Sequence, residues 1–119
     1  MSRDIFVQDL PVGAYGVADI PDDWMPQSLP FGGDFVVATL SELVPSADFT
    51  DPTLGHISLP GVDIEVSLGD EDPLHSFALH VRASDAAAAD ILIARVLQAL
   101  GVRAFDPEGA PESGIFGNG

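Results

Sequence analysis

Residues 57–68 carry the clearest structural signal in the chain, because two runs of alternating apolar and polar residues meet there at Pro60-Gly61. Proline holds φ near about −65° and glycine tolerates a positive φ, which are the requirements of a type II turn. Two strands are therefore predicted to fold back on each other, with Leu59 opposite Val62.

The other patterned segments extend this hairpin to a β-α-β-β-β-α-β order. The remaining predicted elements are strands at residues 5–7, 77–82 and 102–105, a helix at residues 34–44 capped by Asp34, and a helix from an N-cap at Ser84 to Gly101. Residues 46–55 are predicted to form turns. This order predicts an α+β fold, with one antiparallel or mixed β-sheet and two helices packed on one face.

A chain of 119 residues with 46% hydrophobic residues fits a single domain spanning residues 1–119. It includes a Pro-rich loop at residues 11–33 and a Gly/Pro-rich tail at residues 107–119. Within the tail, Ile115-Phe116 is expected to dock on the rest of the domain. We expect the long loop to be pinned to the core by its large apolar side chains. These are Tyr15, Ile20, Trp24, Met25 and Phe31.

Periodicity also predicts which side chains form the core. The sheet face toward the helices is expected to carry Ile57, Ile64, Val66, Phe77, Leu79 and Val81, packed against Val37, Leu40, Leu92, Val96 and Leu100. The apolar stripe of the second helix further includes Ala88, Ile91 and Leu97.

The charge excludes several classes of partner. Nineteen Asp and Glu against four Arg and no Lys give a net charge of −15, which repels phosphate backbones and anionic lipid. Neither nucleic acid nor a membrane is therefore an expected partner. Without Cys, disulfides and thiolate metal sites are excluded. We also find no secretory signal or membrane-spanning segment in the sequence, so a cytoplasmic location is expected.

Alternation places a set of polar side chains on the sheet face that the helices leave open. Across the hairpin, His56 is expected to face Glu65 and Ser58 to face Asp63. The next strand brings either Ala78 or His80 beside Glu65, and correspondingly either His80 or Arg82 beside Asp63. The candidate binding residues are thus His56, Asp63, Glu65, His80 and Arg82.

Three interpretations of this face remain open. The first is a solvated surface on which Asp63 or Glu65 pairs with Arg82. The second is a docking surface whose acidic field attracts a basic protein. The third is a metal site formed by His56, Glu65 and His80. No motif with a catalytic spacing is present, and neither catalytic residues nor a cofactor are assigned.

Several blocks of the sequence resemble a group of small acidic bacterial proteins that share them in this order. They are DIFVQDLP at 4–11, IPDD at 20–23, DFTDP at 48–52, LHVR at 79–82 and LGVRAFDP at 100–107. The resemblance implies a bacterial cytosolic protein and transfers no catalytic residue. Members of that group carry a Trp before the Gly of the Asp-Pro block and basic residues at the first helix, where this chain has Leu54 and Gly32-Gly33.

Taken together, these features predict a non-catalytic protein-binding module of immunity-protein or antitoxin type. Small acidic proteins of this kind neutralise basic toxins because opposite net charges raise the association rate. The alternatives are a metal-binding protein or metal-dependent hydrolase that uses the open face, and a housekeeping domain that forms a homodimer through a sheet edge.

Overall fold

The computed structural model describes residues 2–11, 14, 16–69, 71–107 and 115–116. In chain order the elements are β1 (Ser2–Gln8), a 3-10 turn (Val17–Asp19), α1 (Gly33–Leu43), β2 (Asp48–Asp51), β3 (Leu54–Leu59), β4 (Val62–Ser67), β5 (Ser76–Ala83), α2 (Ala86–Leu100), β6 (Ala104–Phe105) and β7 (Ile115–Phe116). Within the described residues the strands form one antiparallel sheet in the order β2-β3-β4-β5-β1-β6-β7. The predicted α+β fold is confirmed. In this part of the chain no helix is long and apolar enough to span a bilayer.

The Pro60-Gly61 hairpin forms in the predicted register. Gly61 has φ +81°, a backbone conformation that residues other than glycine rarely adopt. Leu59 pairs with Val62 across the turn. This register sends alternate side chains of β3 and β4 to opposite faces of the sheet, as expected.

β1 is an interior strand of the sheet and lies between β5 and β6. Each of its residues is paired with β5, and Ile5 lies opposite Leu79. The N-terminal strand is therefore enclosed on both sides although it is first in the chain. Its helix-facing apolar side chains Ile5 and Val7 are fully buried.

The strand β2 was not predicted, because residues 46–55 have the composition of a turn. It pairs with β3 at one edge of the sheet, with a bulge between Asp48 and Asp51. Phe49 explains why this polar segment stays attached: its ring occupies the space that a Cβ on Gly55 would fill. A glycine on the neighbouring strand thus accommodates an aromatic side chain from the edge.

The core lies between the two helices and one sheet face, as predicted. All the expected core residues are buried except Val37, which is half-buried at the margin. Ile91 contradicts the predicted stripe of α2, since 61% of it is exposed. The stripe runs instead through Leu92, Ile93, Val96 and Leu97, and a helical rotation of about 100° per residue carries position 91 off it.

Both predicted helix caps are displaced by one or two residues. Gly32 is the N-cap of α1 and supplies no side-chain hydrogen bond, while Asp34 lies inside the first turn. In α2 the N-cap is Asp85 rather than Ser84, and its Oδ1 accepts a hydrogen bond from the amide of Ala88. Helix termination at Gly101, with φ +69°, agrees with the prediction.

The residues that hold the Pro-rich loop to the core are only partly those predicted. Trp24 donates from Nε1 to the carbonyl of Asp9 at 2.9 Å, and Phe31 packs against the core. Met25 is 80% exposed and does not pin the loop. Leu29, which is buried, does so instead. Tyr15 lies outside the described residues, as do residues 108–114 and 117–119 of the tail.

Candidate functional site

One face of the sheet is left uncovered by the helices and carries the polar side chains that the alternation predicted. We call it the open face; seven of its polar side chains line a shallow depression of about 560 Å³, namely Asp4, His56, Ser58, Asp63, Glu65, His80 and Arg82. All five predicted binding residues lie on it, and Asp4 joins them from β1. The helix-facing neighbours of these residues, such as Ile57 and Ile64, are buried.

A straight row of alternating carboxylates and histidines crosses five strands on the open face. The register places Asp48 opposite His56, His56 opposite Glu65, Glu65 opposite His80, and His80 opposite Asp4. We call these five residues the charge row. Of the two registers that the sequence allowed for β5, the structure has the one that sets His80 beside Glu65 and Arg82 beside Asp63.

The contact between His80 and Asp4 closes one end of the charge row. Nδ1 of His80 lies 2.7 Å from Oδ1 of Asp4, and the side chains are 43% and 59% exposed. Both groups are therefore paired with each other yet accessible from solvent.

Asp63 is paired within the hairpin rather than with arginine. Ser58 donates from Oγ to Oδ1 of Asp63 at 2.7 Å. Among the described residues the guanidinium of Arg82 forms no ion pair with Asp63 or Glu65. The cross-strand pair expected of a merely solvated face is thus not formed, and an exposed cation stands beside the charge row.

At the β2 end of the charge row, short turns stabilise ionised carboxylates. The hydroxyl of Thr50 donates to Oδ1 of Asp48 at 2.7 Å and its amide donates at 2.9 Å, and these bonds lower the pKa of Asp48. The nearby His56 adds a smaller attraction in the same direction. Thr53 makes the same pair of bonds to Asp51 and lowers its pKa likewise.

The arrangement of His56, Glu65 and His80 does not enclose a metal ion. They stand in line on three successive strands, so the backbones of the outer two are about 10 Å apart. Zinc ligands must approach the ion to about 2 Å from directions that surround it. In the described part of the chain no group of three or more His, Cys, Asp or Glu is placed to hold a metal. The geometry therefore lends no support to the metal interpretation.

A second row on the open face is apolar except for Ser67 and lies two residues away along the strands, about 7 Å from the charge row. Its register runs through Leu54, Ser67, Ala78, Phe6, Phe105 and Ile115. The rings of Phe6 and Phe105 are 5.8 Å apart at 34°. We call the six residues of this register the apolar row. Its side chains are half-buried, so an apolar strip borders the charged one.

Sequence reasoning missed Asp4, Asp48 and the apolar row. The alternation of Asp4, Phe6 and Gln8 was a usable signal for the face of β1, but the neighbours of that strand were not predictable. Comparisons of the chain with models of protein families, with curated proteins and with solved structures found no match. The geometry of the open face is consequently the basis for inferring function.

Proposed function

We propose that this chain is a non-catalytic protein-binding module that uses the open face to hold a basic partner protein, in the manner of an immunity protein or antitoxin. The observation that carries the proposal is the charge row. It presents carboxylates from Asp48, Glu65 and Asp4 at every second strand of an uncovered sheet face.

The charge of the whole chain supports this choice of partner. A net charge of −15 produces a field that attracts cationic proteins and speeds their encounter. The exposed carboxylates of the open face then contact the cations directly. Association with a basic partner should accordingly slow as salt screens the field, with a Debye length of about 8 Å at physiological ionic strength.

The apolar row favours a protein over a small cation as the partner. Protein interfaces combine aromatic and apolar contacts with a polar surround, and aromatic residues are enriched in them. On the open face Phe6 lies two residues from Asp4 along β1, a rise of about 7 Å, and Phe105 packs against Phe6 from β6. A partner surface that carries Lys or Arg beside apolar side chains would match both rows.

Self-association through the sheet edge is less favourable at β2. This edge strand is short and carries exposed Asp48 and Asp51, which two identical copies would bring together. Charged residues on an edge strand are a common protection against such pairing. The same carboxylates would instead attract a basic partner.

The experiment compares two double variants of equal charge change for binding to an N-acetylated decalysine peptide, by fluorescence anisotropy at low salt. Asp63→Asn/Glu65→Gln neutralises the open face, and Asp22→Asn/Asp23→Asn neutralises two exposed carboxylates of the Pro-rich loop. We expect the first to weaken binding about three- to tenfold and the second by less than about twofold. Equal losses would contradict a role for the open face.

The neutralising role has its own test in the genes that flank this one. An adjacent reading frame for a basic toxin, whose effect on growth is relieved by the wild type and not by Asp63→Asn/Glu65→Gln, is the expected result. A toxin relieved equally by both proteins would argue against docking through the open face.

A further inference from the structure

The charge row contains its own means of changing charge. The ionised carboxylates of Asp48, Glu65 and Asp4 contribute −3 to the row, and an imidazole without its second proton contributes nothing. Histidine is the side chain whose charge ordinarily changes between about pH 5 and pH 8. Protonation of both rings would take the row from −3 to −1, which removes two thirds of its negative charge.

Acidic groups face His80 from both neighbouring strands. Asp4 on β1 is in contact with the ring, and Glu65 on β4 lies directly opposite, with Asp63 at the diagonal position. On its own strand the nearest charged group is Arg82, two residues away on the same face. A proton on His80 is therefore taken up between carboxylates, which is also where a partner's cation would have to sit.

The surroundings of His56 repeat this arrangement. Asp48 on β2 faces it from one side, with Asp51 at the diagonal position opposite Leu54, and Glu65 on β4 faces it from the other, with Asp63 again at the diagonal position. On its own strand the same-face neighbours Ser58 and Leu54 are uncharged. Glu65 thus lies between the two histidines, and both helices lie on the opposite face of the sheet.

From this geometry we infer that the charge row makes partner binding proton-dependent: His56 and His80 compete, once protonated, with the cations of a basic partner for Asp48, Glu65 and Asp4. The inference rests on the proposed function, because it names the regulation of the same face. The protein holds a basic partner at neutral pH and releases it as the pH falls through the range in which imidazole gains a proton.

The chain offers a matched control in its third histidine. His75 is exposed and lies in the connection before β5, where its Nδ1 is 3.5 Å from Oγ of Ser28. Its protonation adds the same charge to the protein without changing the charge row. Comparison of His75→Gln with His56→Gln/His80→Gln therefore separates a local effect from a general change in net charge.

The test measures the affinity of the acetylated decalysine peptide at about pH 7.5 and about pH 5.5, at one ionic strength. The peptide remains fully charged over this range. For the wild type and His75→Gln we expect the affinity to fall about three- to tenfold on acidification. For His56→Gln/His80→Gln we expect a change of less than about twofold. Circular dichroism at both pH values checks that each variant is folded.

Two outcomes separate failure of the inference from failure of the proposed function. If Asp63→Asn/Glu65→Gln weakens peptide binding but the double histidine variant keeps the full pH dependence, the proton-dependent competition is wrong and the docking face stands. If Asp63→Asn/Glu65→Gln leaves the affinity for the peptide unchanged, the proposed function itself is contradicted.

A second readout needs no ligand. Proton-detected NMR follows the titration of each imidazole in the wild type, in Asp4→Asn and in Glu65→Gln. Asp4→Asn should shift the midpoint of His80 more than that of His56, and Glu65→Gln should shift both, because Glu65 lies between them. If neither substitution changes the titration midpoint of either imidazole, the coupling on which the inference depends is wrong.

Discussion

His80 and Asp4 are in hydrogen-bond contact, with Nδ1 and Oδ1 2.7 Å apart, although 76 residues separate them in the chain. The contact exists because β1 lies beside β5, where buried Ile5 pairs with buried Leu79 on the other face. The open face is thus assembled on the same strands that form the core. A change that loosens the core beneath β5 should disturb the charge row above it.

Truncation of Leu79 tests that core. Leu79 is 1% exposed and lies between Ile5 and Val66 in the register. Leu79→Ala should lower the free energy of unfolding by about 2 to 5 kcal/mol through lost burial and the cavity left behind. Ile91→Ala removes an exposed apolar side chain of α2 and should change it by less than about 0.5 kcal/mol. Urea denaturation measures both, and similar losses for the two would contradict the assignment of the core.

The N-cap of α2 gives a second prediction. Asp85→Ala removes the acceptor of the Ala88 amide and should destabilise the protein by about 1 kcal/mol. Ser84→Ala alters the neighbouring residue, whose hydroxyl does not cap the helix, and should have an effect within about 0.5 kcal/mol. Thermal unfolding of the pair decides between the caps. A larger loss from Ser84→Ala would mean that the helix begins one residue earlier.

The β3–β4 hairpin and its register were predictable because the sequence signal for them is local. Pro60-Gly61 specifies the turn, and a strict alternation on both sides then decides which residues share a face. The N-cap of α2 was missed by one residue because Ser84 and Asp85 are both good N-cap residues, and so the sequence pattern does not choose between them.

The two ends of the charge row were beyond sequence reasoning for a different reason. Asp4 joins it only because β1 inserts between β5 and β6, which is a choice of partner strand made by the packing of the whole sheet. Asp48 joins it through a four-residue edge strand of polar composition, held by the ring of Phe49 over Gly55. Neither local propensity nor alternation reports such long-range pairing.

The lowered pKa of Asp48 yields a prediction on pH. Because its pKa is lower in the folded than in the unfolded state, this carboxylate stabilises the fold above the unfolded value, and the contribution is lost as the pH falls through the folded value. Thr50→Val removes the hydroxyl donor and should raise the pKa of Asp48 toward its ordinary value, as measured by carbon NMR of the carboxyl group. Thr53→Val is the control: it should raise the pKa of Asp51 and leave that of Asp48 in place. An Asp48 pKa that does not respond to Thr50→Val would contradict the assigned cause.

The most direct measurement of the docking proposal is a map of where a cationic probe touches the protein. Acetylated decalysine is titrated into isotope-labelled protein at low salt and neutral pH, and backbone amide shifts are followed by NMR. We expect amides of the charge row, among them His56, Glu65 and His80, to shift first and to saturate with one common dissociation constant. Shifts of equal size at the exposed Asp22 and Asp23 of the Pro-rich loop, or spread evenly over the acidic surface, would contradict the docking proposal.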